Sequence, residues 1–143
     1  MAMTVYAQPT LVGNAPVGST NFTRIGSLVF FTSGGELWRT DGSAEGTMLL
    51  KAGFQIFNQS PQFTEVNGML YFPAARISDF NPAHRELWRS DGTPAGTVLL
   101  KTSDDHNVRI VGSVGHVLFF QASDVGSGVE LFRTNGTPGG TLM

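Results

Sequence analysis

Carboxylate and imidazole side chains occur in three stretches of the chain where acid–base or metal chemistry is conceivable. Glycoside hydrolysis needs two carboxylates about 5 to 9.5 Å apart, and the donors in these stretches are Asp79, Asp104, Asp105 and Asp124. A metal site would draw on His84, His106, Asp104 and Asp105. These residues lie in separate segments without diagnostic ligand spacing, and the sequence has no nucleophile elbow or phosphate loop. We therefore expect no enzyme, metal or cofactor site, and a glycosidase-type enzyme is the least favoured alternative.

The same stretches have a composition that suits the binding of carbohydrate or another small polar ligand. Such ligands are held by a few well-placed polar and aromatic groups, often on loops carried by a rigid scaffold. The candidate ligand-binding residues are Phe57, Asn58, Arg76, Asp79, Asn81, His84, Arg85, Asp104, Asp105, His106 and Asp124. Phe54 belongs to the same predicted loops. Ordinary solvated loops have a similar composition, and that interpretation remains open at this point.

Three copies of one motif provide the scaffold. The segment 36–47 reads ELWRTDGSAEGT, and it returns as ELWRSDGTPAGT at 86–97 and as ELFRTNGTPGGT at 130–141. The copies begin 50 and 44 residues apart, which is typical of propeller repeats. Aromatic runs precede the copies at 28–31, 69–72 and 117–120.

Each repeat predicts four β-strands, A to D, apolar on both faces because each sheet packs between two others. Strand B is the aromatic run and strand C is the start of the motif. Strand A is predicted at 22–25, 63–66 and 111–114, and strand D at 48–51 and 98–101. The connections from B to C, predicted at 32–35, 73–85 and 121–129, vary in length, whereas the turns from C to D do not. Binding is therefore expected at the variable connections from B to C and from D to A.

The repeats resemble the Glu-Leu-Trp-x-x-Asp-Gly-Thr repeats of bacterial proteins, and their Ser-Asp-Gly-Thr core is similar to the Asp-box turn of sialidase-type propellers. This resemblance covers essentially the whole chain and implies an all-β fold of three four-stranded β-propeller blades, at approximately 1–47, 48–97 and 98–143. It also implies a secreted or cell-surface protein, although no signal peptide is visible. Propellers usually have four to eight blades.

Three blades are therefore expected to be half of a six-bladed propeller completed by homodimerisation. In this interpretation, residues 3–6 form a strand D that completes the last blade of the partner, an exchange of strands. A fragment of a longer or engineered propeller is the alternative.

The repeated residues themselves are interpreted as architecture. Asp41 and Asp91 are expected to accept backbone hydrogen bonds in Asx-turns, and Asn135 keeps that geometry without a charge. Trp38, Trp88 and Phe132 are expected in the core between blades rather than as sugar-stacking platforms. A further hypothesis pairs Glu36, Glu86 and Glu130 of one blade with Arg39, Arg89 and Arg133 of the next.

Charge and hydropathy exclude two classes of partner. The formal net charge is −2 and the basic residues are scattered, so the phosphate contacts of nucleic-acid binding are not expected. No apolar run approaches the roughly 18 residues of a membrane span. The sequence thus predicts a non-catalytic, lectin-like binding module. The alternative function is a structural or protein–protein interaction scaffold.

Overall fold

The computed structural model shows an all-β protein. It describes residues 15–56, 63–77, 84–104, 108–124 and 126–143. In these ranges the only helical segment is a short 3₁₀ turn at Pro138–Gly140, and no helix there is long and apolar enough to cross a membrane.

Sheet 1 is an antiparallel meander of four consecutive strands. The strands are β1 (Thr20–Ile25), β2 (Leu28–Ser33), β3 (Glu36–Thr40) and β4 (Met48–Lys51). The pairing of β2 with β3 continues to the last residues before the two-glycine turn at 34–35. Both glycines have positive φ, a conformation that residues with a Cβ rarely adopt.

Sheet 2 has five strands, of which the first two both pair with the third. The strands are β5 (Phe54–Gln55), β6 (Thr64–Val66), β7 (Met69–Arg76), β8 (Arg85–Ser90) and β9 (Val98–Ser103). β6 pairs with the first half of β7, and β5 pairs with its last two residues. The predicted strand A of this repeat is therefore joined by a short additional strand that the sequence did not reveal.

Sheet 3 repeats the meander of sheet 1 with longer central strands. Its strands are β10 (Arg109–Val114), β11 (Val117–Asp124), β12 (Gly128–Thr134) and β13 (Thr141–Leu142). The chain passes from one sheet to the next at 52–53 and at 104–108, so that β4 and β9 close their own sheets. These crossings lie a few residues beyond the approximate repeat limits at 47 and 97.

All the predicted strands in the described ranges are present, but the B and C strands are longer than expected. Their connections shrink to residues 34–35, 77–84 and 125–127. The sequence placed these ends in loops because Pro73, Gln121 and Thr32 interrupt the apolar runs. Cross-strand pairing nevertheless continues through all three positions.

The two faces of each sheet differ in the side chains that pair across its central strands, which are β2 and β3, β7 and β8, or β11 and β12. The front face carries an aromatic pair, and the rear face carries an aromatic residue opposite an arginine. The front pairs are Phe31–Trp38, Phe72–Trp88 and Phe120–Phe132. The rear pairs are Phe30–Arg39, Tyr71–Arg89 and Phe119–Arg133.

The rear face of each sheet packs on the front face of the next, and this contact forms two hydrophobic cores. The first core joins Ile25, Phe30, Leu37 and Leu50 of sheet 1 to Phe54, Leu70, Phe72, Ala74 and Trp88 of sheet 2. The second joins Val66, Tyr71, Leu87 and Leu100 of sheet 2 to Ile110, Leu118, Phe120, Ala122 and Phe132 of sheet 3. Sheet 2 is thus covered on both faces, which explains the unbroken apolar runs of its strands.

The rear face of sheet 3 has no sheet packed against it among the described residues. Val129, Leu131 and Leu142 are 45%, 55% and 49% exposed, whereas Leu87 and Val98, which match Leu131 and Leu142 in register, lie in or against the second core. On the front face of sheet 1, Phe22 is 63% exposed and stacks on Phe31 with ring centres 5.6 Å apart. The stack of sheets therefore presents apolar side chains at both ends.

Candidate binding edge

The sheets have two different edges. One edge, called the turn edge, holds the turns between β3 and β4, β8 and β9, and β12 and β13. The opposite edge, called the loop edge, holds the turn at 34–35, the strand ends that flank 77–84 and 125–127, and the ends of β4 and β9. The groups available to a ligand differ sharply between the two.

Hydrogen bonds within the turn edge satisfy its polar groups. In sheet 2, Asp91 Oδ1 accepts hydrogen bonds from the backbone N–H and the hydroxyl of Thr93 at 2.8 and 2.7 Å. The hydroxyls of Ser90 and Thr97 are 2.8 Å apart behind the turn. Sheets 1 and 3 repeat this arrangement, with Asp41 and Asn135 in place of Asp91.

The same arrangement fixes the charge on the turn carboxylates. Hydrogen bonds from the hydroxyl and the N–H of Ser43 hold the pKa of Asp41 below its usual value. Burial alone would raise the pKa of Asp91, but the hydrogen bonds from Thr93 outweigh it and the pKa is lowered. Because Asn135 fills the same place with no charge, these residues form turns, as the sequence predicts.

At the loop edge of sheet 2, a buried carboxylate joins two other side chains. Glu86 is fully buried. Its Oε2 accepts a hydrogen bond from Trp88 Nε1 at 2.9 Å, and its Oε1 accepts one from Arg76 Nε at 2.7 Å. A buried carboxylate requires such partners, because an unpaired charge in the interior is very costly. The side chain of Arg76 is 46% exposed, so its guanidinium is fixed by Glu86 through Nε and remains partly accessible to solvent.

Position 124 of sheet 3 corresponds in register to position 76 of sheet 2, because Ala122 pairs with Glu130 as Ala74 pairs with Glu86. There Asp124 replaces the arginine and forms an ion pair with Lys101 of the neighbouring sheet. The Lys101 ammonium also lies 5.1 Å from the ring centre of Phe132, just as the Lys51 ammonium lies 5.0 Å from the ring centre of Trp88. Lysine above an aromatic ring is thus a repeated feature of both junctions.

The remaining described candidates lie beside these pairs. Arg85 begins β8 and its Nη1 donates to the carbonyl of His84 at 3.1 Å, and burial lowers the pKa of the Arg85 guanidinium. Asp104 follows β9, and its backbone N–H donates to the carbonyl of Ser123 at 3.1 Å. This bond ties the crossing from sheet 2 to the end of β11.

The five described candidates therefore lie at the loop edge, but not all in loops. Arg76, Arg85 and Asp124 are terminal residues of strands, and His84 and Asp104 adjoin strands. The other six candidates, Phe57, Asn58, Asp79, Asn81, Asp105 and His106, lie outside the described residues. So does the strand D predicted at 3–6.

Phe54 was expected in a ligand-binding loop, and that expectation was wrong. It is 1% exposed, and its ring packs edge-on against Phe72 and Trp88 with centres 5.6 and 5.1 Å apart. The expectation for strand C was correct in sheets 2 and 3, where Trp88 and Phe132 lie in the cores. Trp38 is only half-buried and stacks on Phe31.

The described residues do not show the hypothetical ion pairs between Glu of one sheet and Arg of the next. Glu86 pairs within its own sheet, and Arg39 and Arg89 each bury an Nε without a hydrogen-bond partner. The reason is geometric: the Glu begins strand C at the loop edge, and the Arg lies three residues along it. At about 3.3 Å per residue, the two are at opposite edges of the sheet.

Sequence reasoning did not assign three residues to the loop edge: Lys51, Lys101 and Glu86, the last of which it paired with an arginine of another blade. The signal for Glu86 was present, since an invariant acidic residue two positions before an indole can accept its N–H. Lys51 and Lys101 both lie four residues after the motif threonine. Across the described ranges no three His, Cys, Asp or Glu side chains come together as a metal site would require.

Searches against family models, curated proteins and solved structures found no match to this chain. The inferences that follow therefore rest on the sequence motif and on the geometry.

Proposed function

We propose that the three sheets are consecutive blades of a β-propeller and that a second copy of the chain completes a six-bladed ring. Three observations support this. Sheets 1 and 3 are four-stranded meanders and sheet 2 is the same meander with one short added strand, neighbouring sheets pack face to face through the same two faces, and the two ends of the stack carry apolar side chains. Two copies give six blades, within the usual range, whereas three would give nine.

The ring acts as a non-catalytic binding module for carbohydrate or another small polar ligand, and the ligand binds at the loop edge. The observation that favours this edge is the contrast with the turn edge. The turns use their polar groups internally, whereas Arg76 is anchored by a buried carboxylate and remains half exposed. A planar guanidinium fixed in this way is suited to hydroxyl and carboxylate oxygens. Repetition around a ring would add avidity to weak single sites.

The test is glycan-array binding of the folded chain, followed by the substitution Arg76→Lys. Lysine retains a cation opposite Glu86 but loses the planar fork, so binding is expected to fall about tenfold or more while the melting temperature changes little. The matched control is Arg24→Lys, because Arg24 hydrogen-bonds at the turn edge. Silence of the folded protein on the array, or equal effects of the two substitutions, would count against a lectin-like site here.

The second candidate function is a structural or protein–protein interaction scaffold. The charged side chains of Arg76 and Asp124 at the loop edge, 46% and 40% exposed, favour it, because such groups can also pair with charges on a protein partner. Saturable pull-down of a protein partner through the loop edge, with no glycan binding, would support this alternative. A glycosidase has the least support, because Asp124 is engaged by Lys101; hydrolysis that survived replacement of Asp104 and Asp124 would exclude these two as its catalytic pair.

A further inference from the structure

The glycine of the turn motif fits closely against the preceding sheet at both junctions. A Cβ on Gly92 would lie 2.8 Å from Leu28 Cδ1 and 3.5 Å from Phe30 Cζ on the rear face of sheet 1. A Cβ on Gly136 would lie 2.5 Å from Tyr71 Oη and 3.6 Å from Arg89 Cδ on the rear face of sheet 2. At both positions φ is positive and an added Cβ would force the facing side chain to move, so the glycine turn and the rear face form a close, repeated seat.

The first copy of the turn has no such seat among the described residues. Gly42 has φ +97°, close to φ +87° at Gly92 and φ +89° at Gly136. It is nevertheless exposed, and a Cβ placed on it meets nothing within 4 Å. The turn at 41–47 is therefore formed as in the other two sheets, but no described residue supplies a surface like the one against which they pack.

The matching surface exists at the other end of the stack. The rear face of sheet 3 has a pocket of about 130 Å³ at its turn edge. Its lining residues are Val117, Arg133, Thr134, Asn135, Gly140 and Leu142. In the register of the repeats, Val117 and Arg133 correspond to Leu28 and Arg39, the residues that hold Gly92 at the first junction.

We propose that the Asp41–Gly42 turn of one copy inserts into this sheet 3 pocket of a second copy. The occupant is a second copy because the turn and the pocket are the two halves of a contact that this chain already makes twice. They lie at opposite ends of one stack, so the association is head-to-tail, and two such contacts related by a two-fold axis close the ring. This inference rests on the proposed propeller and specifies the junction that completes it.

The experiment compares Gly42→Asn with Gly68→Asn by light scattering on a size-exclusion column over a range of concentrations. Asparagine accepts positive φ better than most residues. Gly68 has φ +76° with nothing within 4 Å of an added Cβ, although its sheet has neighbours on both faces. The wild type and Gly68→Asn are expected at twice the 15.3 kDa chain mass. Gly42→Asn is expected to raise the dimer Kd by at least about tenfold, equivalent to about 1.4 kcal/mol.

A mixing experiment tests the head-to-tail arrangement. Leu142→Glu places a charge in the pocket at a residue that is 49% exposed in the single chain, so the fold should persist, as circular dichroism would check. A dimer of Gly42→Asn alone has an altered turn in both junctions, and a dimer of Leu142→Glu alone has an altered pocket in both. A mixed pair concentrates both defects in one junction and leaves the other intact, so mixing should restore dimer. A face-to-face dimer would give no such rescue.

The outcomes separate this inference from the proposed ligand. A wild-type monomer, or dimers that persist equally in Gly42→Asn and Gly68→Asn, would overturn the turn-in-pocket contact. Heterogeneous aggregates of the wild type whose masses are unchanged by Gly42→Asn would also overturn it. If no glycan binds but the dimer masses are as expected, the turn-in-pocket contact is supported and only the proposed binding function is rejected.

Discussion

The contact of Gly136 with Tyr71 offers a stringent test of how one sheet recognises the next. Gly136→Ala imposes two penalties. The first is strain, because φ is +89°, and a left-handed conformation costs a residue with a Cβ roughly 1 to 2 kcal/mol. The second is a clash, because the new Cβ would lie 2.5 Å from Tyr71 Oη; overpacking of this kind costs roughly 1 to 3 kcal/mol.

A double-mutant cycle with Tyr71→Phe separates the two penalties. Without the hydroxyl, the nearest atoms to the new Cβ are Arg89 Cδ and the ring carbon Cζ, both at 3.6 Å, which is ordinary contact. Only the strain should remain. The coupling between the two substitutions is therefore expected to offset about 1 to 3 kcal/mol of the loss. Gly68→Ala gives the strain alone, since its φ is +76° and the space is open.

The assay is urea unfolding followed by tryptophan fluorescence, since Trp88 lies in the first core. Every variant is measured at one chain concentration, because self-association would shift the apparent stability. If Gly136→Ala and Gly68→Ala destabilise equally, or if Tyr71→Phe gives no relief, the turn does not press on Tyr71 and the seat argument fails.

Three further predictions concern the turn and the core. Asp41 and Asp91 have lowered pKa values, so the stability they add is present above the unfolded-state pKa of about 3.9 and is lost as pH falls through the folded-state pKa. The double variant Asp41→Asn/Asp91→Asn should therefore lose less stability than the wild type between pH 5 and pH 3, as measured by urea titrations. Parallel losses in the two proteins would contradict this. Thr97→Val removes hydrogen bonds of 2.8 Å to Ser90 and to the Thr93 carbonyl and should cost about 1 to 2 kcal/mol in urea unfolding. The control is Thr23→Val, at a half-buried residue of the edge strand β1, and equal losses would contradict the role of these bonds. Phe54→Ala should cost about 3 to 5 kcal/mol, measured in the same way, whereas Ile77→Ala, at a side chain 66% exposed, should be nearly neutral; equal losses would place Phe54 outside the core.

The repeat made the strands and turns predictable, because the same residues recur where the same backbone is needed. Asp41 and Gly42 are read correctly from sequence since an Asx-turn with positive φ is a local requirement. The strand ends were harder: Arg76 and Asp124 are polar, yet cross-strand pairing extends to both. Phe54 was misplaced because its burial depends on the space between two sheets, which no local pattern shows. The partnership of Glu86 with Arg76 likewise depends on register across two strands.

The position of sheet 2 between two neighbours has a consequence for how the chain opens. In a linear stack, each unit is stabilised by its own pairing and by its contacts with adjacent units. Sheet 2 makes two such contacts, and the outer sheets make one each with described neighbours. Local opening in the single chain should therefore start at the ends and reach the middle last. Amide protons of β7 and β8 would then exchange most slowly, and closing the ring would remove this gradient by giving every sheet two neighbours.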